Sequence, residues 1–283
     1  MKEPFLKDEA FLADVNQACI SGNDRLHVWW LGQSGFLVIW NQVSILFDPY
    51  LSDSLTRKYD GTDKPHIRMT SRVIDPLRLH GIDIITTSHN HTDHLDAETL
   101  QPLLQANPGA ALIGPEANRS TIAERASLPD NCMIGLDDGL MREVCGVRFH
   151  GIASAHDELK TDNEGRHQFL GYVAEMGPWV IYHSGDTRLY PELSERLRNF
   201  RIDLAFLPIN GWAPERRVAG NMNAEEAVWL AKETGIGHVI PHHFEMFTFN
   251  TVDPAHFVKL ADLADLSYSV LRNGERWSAI GNR

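Results

Sequence analysis

Four side chains that can ligate a metal ion lie within six consecutive residues of this 283-residue chain. They are His89, His91, Asp93 and His94, in the pattern H-x-H-x-D-H. His89 and His91 are two residues apart, so at the end of a strand both rings would point to the same side. Packing of a core does not call for this pattern, whereas a metal site needs several such side chains close together. The pattern therefore predicts a metal site, with a polar surface loop as the alternative.

The residues on either side of this pattern predict where it lies in the fold. Ile82 to Thr87 form a short run rich in β-branched residues, which is typical of a buried strand. Residues 95–100 read as the start of a helix. The candidate ligands would then lie on a strand-to-helix loop at the carboxyl end of a strand, where α/β proteins usually place their sites.

Further candidate ligands follow other strand-like runs downstream. They are His156, Asp186 and the pair His242 and His243. Each is weak evidence alone, because a histidine after a strand is more often structural and an aspartate in a Gly-Asp-Thr segment is more often a turn residue. Their joint occurrence at strand ends favours a two-metal site, since each metal ion needs about three protein ligands.

The rest of the chain predicts strands and helices in a mixed order. Helices are expected over residues 7–20, 97–105, 116–126, 223–233 and 253–264. Strands are expected over residues 26–31, 36–40, 43–47, 82–87, 111–113, 147–152, 169–175, 179–183, 204–209, 238–240 and 268–271. Asn41-Gln42 is expected to form a tight hairpin turn, Asn223 to cap a helix and Gly235 to end it. Meandering strands followed by strand–helix alternation favour a mixed α/β sandwich over a doubly wound parallel sheet.

Composition narrows the classes of protein and partner. No linker divides residues 1–283, so a single domain is expected. A net charge of −12 makes nucleic acid an unfavourable partner. Three isolated cysteines are typical of a reducing compartment, and no apolar stretch approaches the 18 or so residues that a membrane span needs. We expect a cytoplasmic protein without a membrane anchor.

A long polar segment over residues 51–80 is the main indication of the substrate. Connections of this length are usually functional, so an active-site loop is expected here. It carries six basic side chains against four acidic ones, a surplus of two positive charges: Arg57, Lys58, Lys64, Arg68, Arg72 and Arg78 against Asp53, Asp60, Asp63 and Asp75. The surplus predicts a small substrate with a phosphate or carboxylate, and a solvated surface loop is the alternative.

Taken together, these motifs resemble those of the metallo-β-lactamase superfamily over about residues 26–245. The pattern at residues 89–94 matches its signature loop, and further segments are similar to the ascorbate-6-phosphate lactonase group and its uncharacterised metal-dependent hydrolase relatives. Those segments are residues 29–36, 47–50, 113–115, 182–186 and 240–243. The resemblance implies a four-layer αββα sandwich of two mixed β-sheets flanked by helices.

The resemblance also assigns seven side chains to two neighbouring metal sites. Site one is His89, His91 and His156, and site two is Asp93, His94 and His243, with Asp186 bridging the two. His242 is the alternative to His243. Asp48 would accept the free N–H of a ligand imidazole. His183 would be a proton donor near Asp186, or a strand-end histidine that faces solvent.

The implied activity is hydrolysis by water held between two divalent metal ions, with Asp93, Asp186 and His183 as catalytic residues. A ligand set of nitrogen and oxygen atoms suits zinc first, and manganese or iron as alternatives. The expected substrate is a small anionic ester, lactone or phosphodiester. The alternatives are an RNA-processing nuclease, a β-lactamase proper and a non-catalytic metal-binding sensor. A homo-oligomer is also open.

Overall fold

The structure, a computed structural model, describes residues 1–20 and 24–281. Thirteen strands lie within these residues. In chain order they are β1 (Arg25–Gly32), β2 (Gly35–Trp40), β3 (Val43–Phe47), β4 (Ile84–Thr86), β5 (Ala111–Pro115), β6 (Met133–Leu136), β7 (Met141–Val144), β8 (Val147–Ala153), β9 (Leu170–Met176), β10 (Trp179–His183), β11 (Leu204–Pro208), β12 (Val239–His242) and β13 (Arg276–Ile280).

The strands form two mixed sheets. The seven-stranded sheet has the order β13-β1-β2-β3-β4-β5-β6, and the six-stranded sheet has the order β12-β11-β10-β9-β8-β7. In the first sheet, β3 to β6 are parallel and the other pairs are antiparallel. In the second sheet, β10, β11 and β12 are parallel, and β7 to β10 pair antiparallel. The carboxyl ends of the parallel strands are therefore available on both sheets to carry a site.

Alternating side chains of one strand serve two different cores, because successive residues of a strand point to opposite faces. Val28 and Trp30 of β1 point into the core between the sheets. Trp29 and Leu31 of the same strand point to a second core on the outer face. Between the sheets, the ring of Phe36 stacks on that of Phe206 with centroids 3.9 Å apart. The opening strands read as continuous apolar runs because both of their faces are buried.

Helices cover the outer faces of both sheets. They are α1 (Asp8–Ile20), α3 (Ala97–Ala106), α4 (Arg119–Ala126), α5 (Leu193–Leu197), α6 (Ala224–Thr234) and α7 (Ala255–Leu263). The short helix α2 (Ser54–Lys58) instead packs Leu55 in a separate small cluster with Tyr50, Met246 and Phe247. Apolar residues of α1, α3 and α4 join the outer core of the seven-stranded sheet, and those of α5, α6 and α7 pack with the six-stranded sheet. The αββα sandwich is thus confirmed. Among the described residues, no helix has the length and apolar character to cross a bilayer.

Three local predictions from the sequence are confirmed by the local geometry. Asn41 and Gln42 have φ of 48° and 66°, as the two-residue turn of a tight hairpin requires. Asn223 caps α6 by accepting the backbone N–H of Glu226 at 2.8 Å, and the Glu226 side chain accepts the N–H of Asn223 in return. Gly235 ends the helix in the left-handed conformation, with φ 69°.

The predicted strand over residues 268–271 is wrong. Tyr268 forms a single isolated bridge with Val239, and the last strand is β13 instead. Strands β6 and β7 and the short helices α2 and α5 were not predicted. Strand β13 lies at a sheet edge and stays half-exposed, so its hydrophobic signal is weak. The run at 268–271 is apolar because it packs on the core without joining a sheet.

A half-buried histidine far from the candidate ligands predicts how the stability of the fold responds to acid. His238 places Nδ1 2.7 Å from Ser267 Oγ and Nε2 3.0 Å from Ser269 Oγ, and its ring stacks on Trp277. Burial lowers the pKa of His238 to about 4. The unfolded chain, in which a histidine has its ordinary pKa of about 6.5, therefore binds more protons between these two pH values. The stability that the neutral ring contributes is present above pH ~6.5 and is lost as the pH falls towards ~4.

We expect the wild-type protein to lose about 1–2 kcal/mol more unfolding free energy than His238→Gln between pH 7.5 and pH 5. Denaturant unfolding of both proteins after treatment with a chelator measures this difference. The metal-site residues are common to the two proteins, so their titration cancels. Parallel pH profiles for the two proteins would contradict the expectation.

Candidate metal centre

The candidate ligands meet where strands of the two sheets end on the same side of the sandwich. His89, His91, Asp93 and His94 follow β4 of the seven-stranded sheet. The other candidates follow strands of the six-stranded sheet: His156 after β8, Asp186 after β10 and His243 after β12. The parallel alignment of β3, β4 and β5 and of β10, β11 and β12 brings these loops to one edge. The structure therefore brings together all seven side chains that the sequence assigned to two sites.

Asp186 lies at the centre of this group. Its Oδ2 atom is 3.2 Å from His243 Nε2, 3.3 Å from His94 Nε2 and 3.7 Å from His156 Nε2. The side chain is almost fully buried. One carboxylate oxygen therefore faces ring nitrogens from both proposed sites, which is the position that a bridging ligand needs.

Two triads of ligand atoms surround Asp186. His89, His91 and His156 form one triad, and Asp93, His94 and His243 form the other, each with its atoms within 4.8 Å of one another. A further group of Asp48, His89 and His94 shares two of these rings. The two triads are the same sets as site one and site two.

The geometry separates His243 from His242. His243 Nε2 lies 3.9 Å from Asp93 Oδ2 as well as close to Asp186, so its ring faces the centre. His242 is fully buried, with Nδ1 3.2 Å from Ser34 Oγ and its ring parallel to that of His183. His242 is absent from both triads, so the second of the two consecutive histidines is the one that approaches the other ligand candidates.

Unpartnered nitrogen atoms test whether this cluster fits a metal ion. Nε2 of His89 and Nε2 of His94 are buried and have no hydrogen-bond partner among the described residues. Buried polar atoms are rarely left unsatisfied, and a metal ion would satisfy both lone pairs. The donor set of imidazoles and carboxylates also suits divalent ions. The cluster is therefore able to bind divalent metal ions.

Hydrogen bonds on the far side of three rings fix their orientation. Asp48 Oδ2 accepts from His94 Nδ1 at 2.6 Å, and Ser88 Oγ lies 2.9 Å from His89 Nδ1. The Gly220 carbonyl accepts from His156 Nδ1 at 2.9 Å. Because a carbonyl oxygen or carboxylate only accepts, the Nδ1 atoms of His94 and His156 carry the proton, and their Nε2 atoms face the centre. The expected role of Asp48 as an acceptor for a ligand imidazole agrees with this contact.

Burial and the neighbouring charges set the protonation of the cluster. Burial lowers the pKa of His89 well below its usual range and that of His91 to about 4. Burial also acts to lower the pKa of His94, but the carboxylates of Asp186 and Asp93 outweigh it and hold that pKa well above the usual range. Burial acts to raise the pKa of Asp186, yet the charge of His94 keeps it well below its usual range. A divalent cation bound here would take the place of the His94 proton.

His183 lies beneath the centre rather than in its cavity. Its Nε2 donates to the Ser34 carbonyl at 2.8 Å, and its Nδ1 accepts the Gly185 N–H at 3.1 Å. The ring is fully buried and stacks on Phe47 with centroids 5.2 Å apart. Both ring nitrogens are therefore engaged, and the side chain does not face solvent as the alternative interpretation expected.

Gln33 and Ser34 are neighbours of the centre that the sequence did not assign. Gln33 Nε2 donates to Asp93 Oδ2 at 2.8 Å and lies 3.1 Å from His243 Nε2. Ser34 Oγ lies 3.5 Å from Asp186 Oδ1. Both residues belong to the turn between β1 and β2, where Gln33 has a positive φ of 51°. The unusual backbone conformation of this turn marks it as a functional position, but a conformation is visible only in the structure.

A cavity of about 430 Å³ opens above the ligand group. Its lining includes five of the candidate ligands and residues from the surrounding segments: Leu55, Lys58, Tyr59, His66, Asn90, His91, Thr92, Asp93, Arg125, His156, Asp186, Val218, Ala219, His243 and Asn250. Part of the 51–80 segment thus lines the same cavity as the ligands. The volume is in the range of small-molecule sites.

Residues 44–244 match the family of the β-lactamase superfamily domain. The chain belongs to the metallo-β-lactamase superfamily. The matched residues begin in β3 and end just after His243, so all seven candidate ligands lie within the metallo-β-lactamase match. The family therefore agrees with the two mixed sheets and with the position of the ligand group.

Relatives of this metallo-β-lactamase superfamily member include proteins named as hydrolases. A UPF0173 metal-dependent hydrolase of Saccharolobus solfataricus is 26% identical over 250 residues, which cover 87% of this chain and 96% of that protein. The solved isothiocyanate hydrolase from Delia radicum gut bacteria has a TM-score of 0.71 at 16% identity, covering 90% of this chain and 99% of that one. A metallo hydrolase of Ignicoccus hospitalis has a TM-score of 0.66 at 20% identity, covering 90% and 98%. These structural similarities show the shared fold.

Proposed function

We propose that this protein is a hydrolase that holds two divalent metal ions and cleaves a small anionic ester, lactone or phosphodiester. Zinc is the first candidate for both ions, and manganese is the alternative. The observation that carries the proposal is the position of Asp186 between two ligand triads at the floor of one cavity. Relatives named as metal-dependent hydrolases support the same reaction class.

The chain's own residues would hold the ions and keep the ligands in place. Two divalent ions at such a site supply an activated water near neutral pH and stabilise the negative charge that develops during hydrolysis. Asp186, which is almost fully buried, and Asp93, which is half-buried, would offset part of the cationic charge. Asp48 and the Gly220 carbonyl keep two imidazoles in the tautomer that presents Nε2. We assign His183 a positioning role, because its hydrogen bonds tie the turn at Ser34 to the turn at Gly185.

Only some of the basic side chains in the 51–80 segment are free to contact an anionic substrate. Most of its basic side chains are already paired: Arg57 with Glu98, Arg68 with Asp53, Arg72 with Asp75, Arg78 with Asp8 and Glu9, and Lys64 with the Arg217 carbonyl. The positive surplus of the segment is therefore largely neutralised within the fold. Lys58 and Lys64 form no ion pair with a described carboxylate, and of these two Lys58 is the one that lines the cavity.

Lys58 and Arg125 place two cations on the cavity wall, beside the ligand loop. Lys58 Nζ lies 3.2 Å from Thr92 Oγ1, and Arg125 Nη1 donates to the Asn90 carbonyl at 2.7 Å. Among the described residues, neither cation has a carboxylate within ion-pair distance. Both residues line the cavity. A substrate carboxylate or phosphate would find unneutralised charge at this rim, and Arg and Lys suit such groups.

The substitution Lys58→Gln is expected to raise KM for an anionic ester by about fivefold, while KM for a neutral ester of the same alcohol stays within about twofold. Arg57→Gln is the matched control, because Arg57 precedes Lys58 in α2 and its charge is already neutralised by Glu98. Steady-state kinetics on a 4-nitrophenyl hemiester and its uncharged analogue measure the effect. Equal changes for the two esters would remove Lys58 from substrate recognition.

Metal content and turnover measured on one preparation test the function itself. The chelated protein is reloaded with zinc or manganese, counted by mass spectrometry and assayed with a generic lactone and bis(4-nitrophenyl) phosphate. About two ions per chain together with turnover of either substrate is the expected result. Two bound ions per chain without any turnover would favour a non-catalytic metal-binding role. Fewer than one bound ion per chain would contradict the two-metal site.

A further inference from the structure

His66 is a cavity-lining histidine that belongs to neither ligand triad. Its Nδ1 atom lies 2.8 Å from the Lys64 carbonyl oxygen. A carbonyl oxygen can only accept a hydrogen bond, so Nδ1 carries the proton and the tautomer is fixed. The other ring nitrogen, Nε2, is then left with a lone pair.

That lone pair is open to the cavity. Nε2 of His66 has no hydrogen-bond partner among the described residues. It is also not a buried atom, so a molecule in the cavity can reach it. The side chain is half-buried and shares the cavity wall with Asp93, Asp186 and His243. Among the described residues of this wall, the other histidines are all candidate metal ligands. His66 is therefore the wall histidine whose ring nitrogen is left for a proton.

Three aromatic side chains hold the ring in place. Tyr59, which directly follows α2, stacks on His66 with centroids 4.4 Å apart. Phe247 and Phe249, which follow the last candidate ligand, contact the ring with centroid distances of 5.3 Å and 5.2 Å. Together with the hydrogen bond to Lys64, these contacts leave the imidazole little freedom to rotate. A group held in this way is suited to proton transfer, because its orientation is set before substrate binds.

Burial of the His66 ring favours its neutral form. Burial lowers its pKa, and the positive charges of His243 and Lys58 act in the same direction. The hydrogen bond to the Lys64 carbonyl and the charge of Asp93 oppose them, and the net result is a pKa below the ordinary value. Near neutral pH the ring is therefore a proton acceptor at Nε2.

We propose that His66 Nε2 shuttles a proton between the attacking water and the leaving oxygen. The inference rests on the proposed hydrolase function. As water forms its bond to the substrate carbonyl carbon or phosphorus, Nε2 takes one of its protons. As the bond to the leaving oxygen breaks, Nε2 returns that proton to this oxygen, which leaves as an alcohol. Atoms and charge balance, and His66 ends the cycle in its starting state.

The shuttle gives His66 the role that the sequence suggested for His183. His183 has no free ring nitrogen and lies outside the cavity lining. The 51–80 segment is then more than a wall of the cavity. Lys58 at the end of α2 would contact the anion, and Tyr59, the next residue, holds His66. The turn after α2 supplies His66 itself.

The test compares His66→Gln with wild-type protein on phenyl and 4-nitrophenyl esters of the same acid. Phenoxide needs a proton to leave, whereas 4-nitrophenoxide leaves without one. We expect His66→Gln to lower kcat for both esters, because both lose the proton transfer from the attacking water. The loss should be about 10²-fold or more for the phenyl ester and about tenfold smaller for the 4-nitrophenyl ester, which does not need the proton on its leaving oxygen. His80→Gln is the matched control, because His80 also points Nδ1 at a carbonyl but lies on the exposed surface.

Equal losses on the two esters, or no loss on either, would overturn the shuttle while leaving the hydrolase function intact. Absence of turnover of both esters by the loaded wild-type protein would instead overturn the hydrolase function, and the shuttle with it. A second readout does not use activity. Nitrogen-15 spectra of the zinc-loaded protein, with the His66 signal assigned by its loss in His66→Gln, should show a proton on Nδ1 and none on Nε2 at pH 7.5. The opposite tautomer would also overturn the shuttle, whereas unchanged metal content in His66→Gln would support its place outside the ligand set.

Discussion

Replacement of Asp186 by asparagine is expected to lower turnover by about 10³-fold or more, beyond the 10–100-fold typical of residues that only support a ligand. The asparagine side chain has the same shape, so the fold is retained. It lacks the negative charge that faces His94, His156 and His243 at 3.2–3.7 Å. We expect the metal content to fall from about two ions per chain to one or fewer.

Mass spectrometry of metal content and steady-state turnover on the same samples measure this effect. Glu158→Gln is the control, since it removes an exposed carboxylate two residues from a candidate ligand without touching the ligand group. Full metal content and normal turnover in Asp186→Asn would remove Asp186 as a bridge. A loss of turnover with both ions retained would limit its role to the reaction itself.

Asp48→Asn is the second substitution with a large expected effect. The Asp48 carboxylate is fully buried, accepts the Ser88 backbone N–H at 2.8 Å and accepts from His94 Nδ1 at 2.6 Å. Ser88 Oγ also donates to it. An asparagine cannot accept at both oxygen positions, so it would turn an N–H towards His94 Nδ1 and favour the tautomer with the proton on Nε2. We expect the affinity of site two for zinc to fall about 10–100-fold and the unfolding free energy of the metal-free protein to fall by about 1–3 kcal/mol.

Asparagine suits this position in other respects. Asp48 has φ 40°, a conformation that asparagine also tolerates, so the backbone should not change. The control is Asp83→Asn, because Asp83 accepts the backbone N–H and the hydroxyl of Ser44 at the other end of β3. Zinc titration against a competing chelator and denaturant unfolding separate the two effects. Both variants should lose stability, but a similar loss of zinc affinity in Asp83→Asn would show that general destabilisation, not the His94 contact, is the cause.

The positions of the candidate ligands could be predicted because each follows a strand. A strand that is buried on both faces leaves a strong apolar signal, and the polar residues that end it stand out. His156 and Asp186 were weak candidates alone, yet the ends of β8 and β10 bring them to the loop after β4. The resemblance favoured His243 but left His242 open, because the choice depends on which ring turns towards the ligand centre where β12 ends. His243 does so with φ 67°.

Other parts of the cavity could not be predicted, because their signals depend on tertiary contacts. His66 lies in a polar, irregular segment without periodicity, and its position becomes visible only through its contacts with Tyr59 and Phe247. The ion pairs of the basic side chains in the same segment could not be predicted either, because some of their partners are distant in the sequence. Glu98, which pairs with Arg57, lies 41 residues further along the chain, so a local charge count overstates the free positive charge.

The origin of the ligands from both sheets has a consequence for how the protein would be handled. Metal ions that join the loop after β4 to the ends of β8, β10 and β12 would cross-link the two layers of the sandwich. Separation of the layers would then require release of the ions, so the melting temperature would report the free metal concentration. At a thousandfold excess of free metal over its dissociation constant, this linkage contributes about 4 kcal/mol per ion. Even a low concentration of chelator in a storage buffer would then lower the melting temperature and shorten the time for which the protein stays folded.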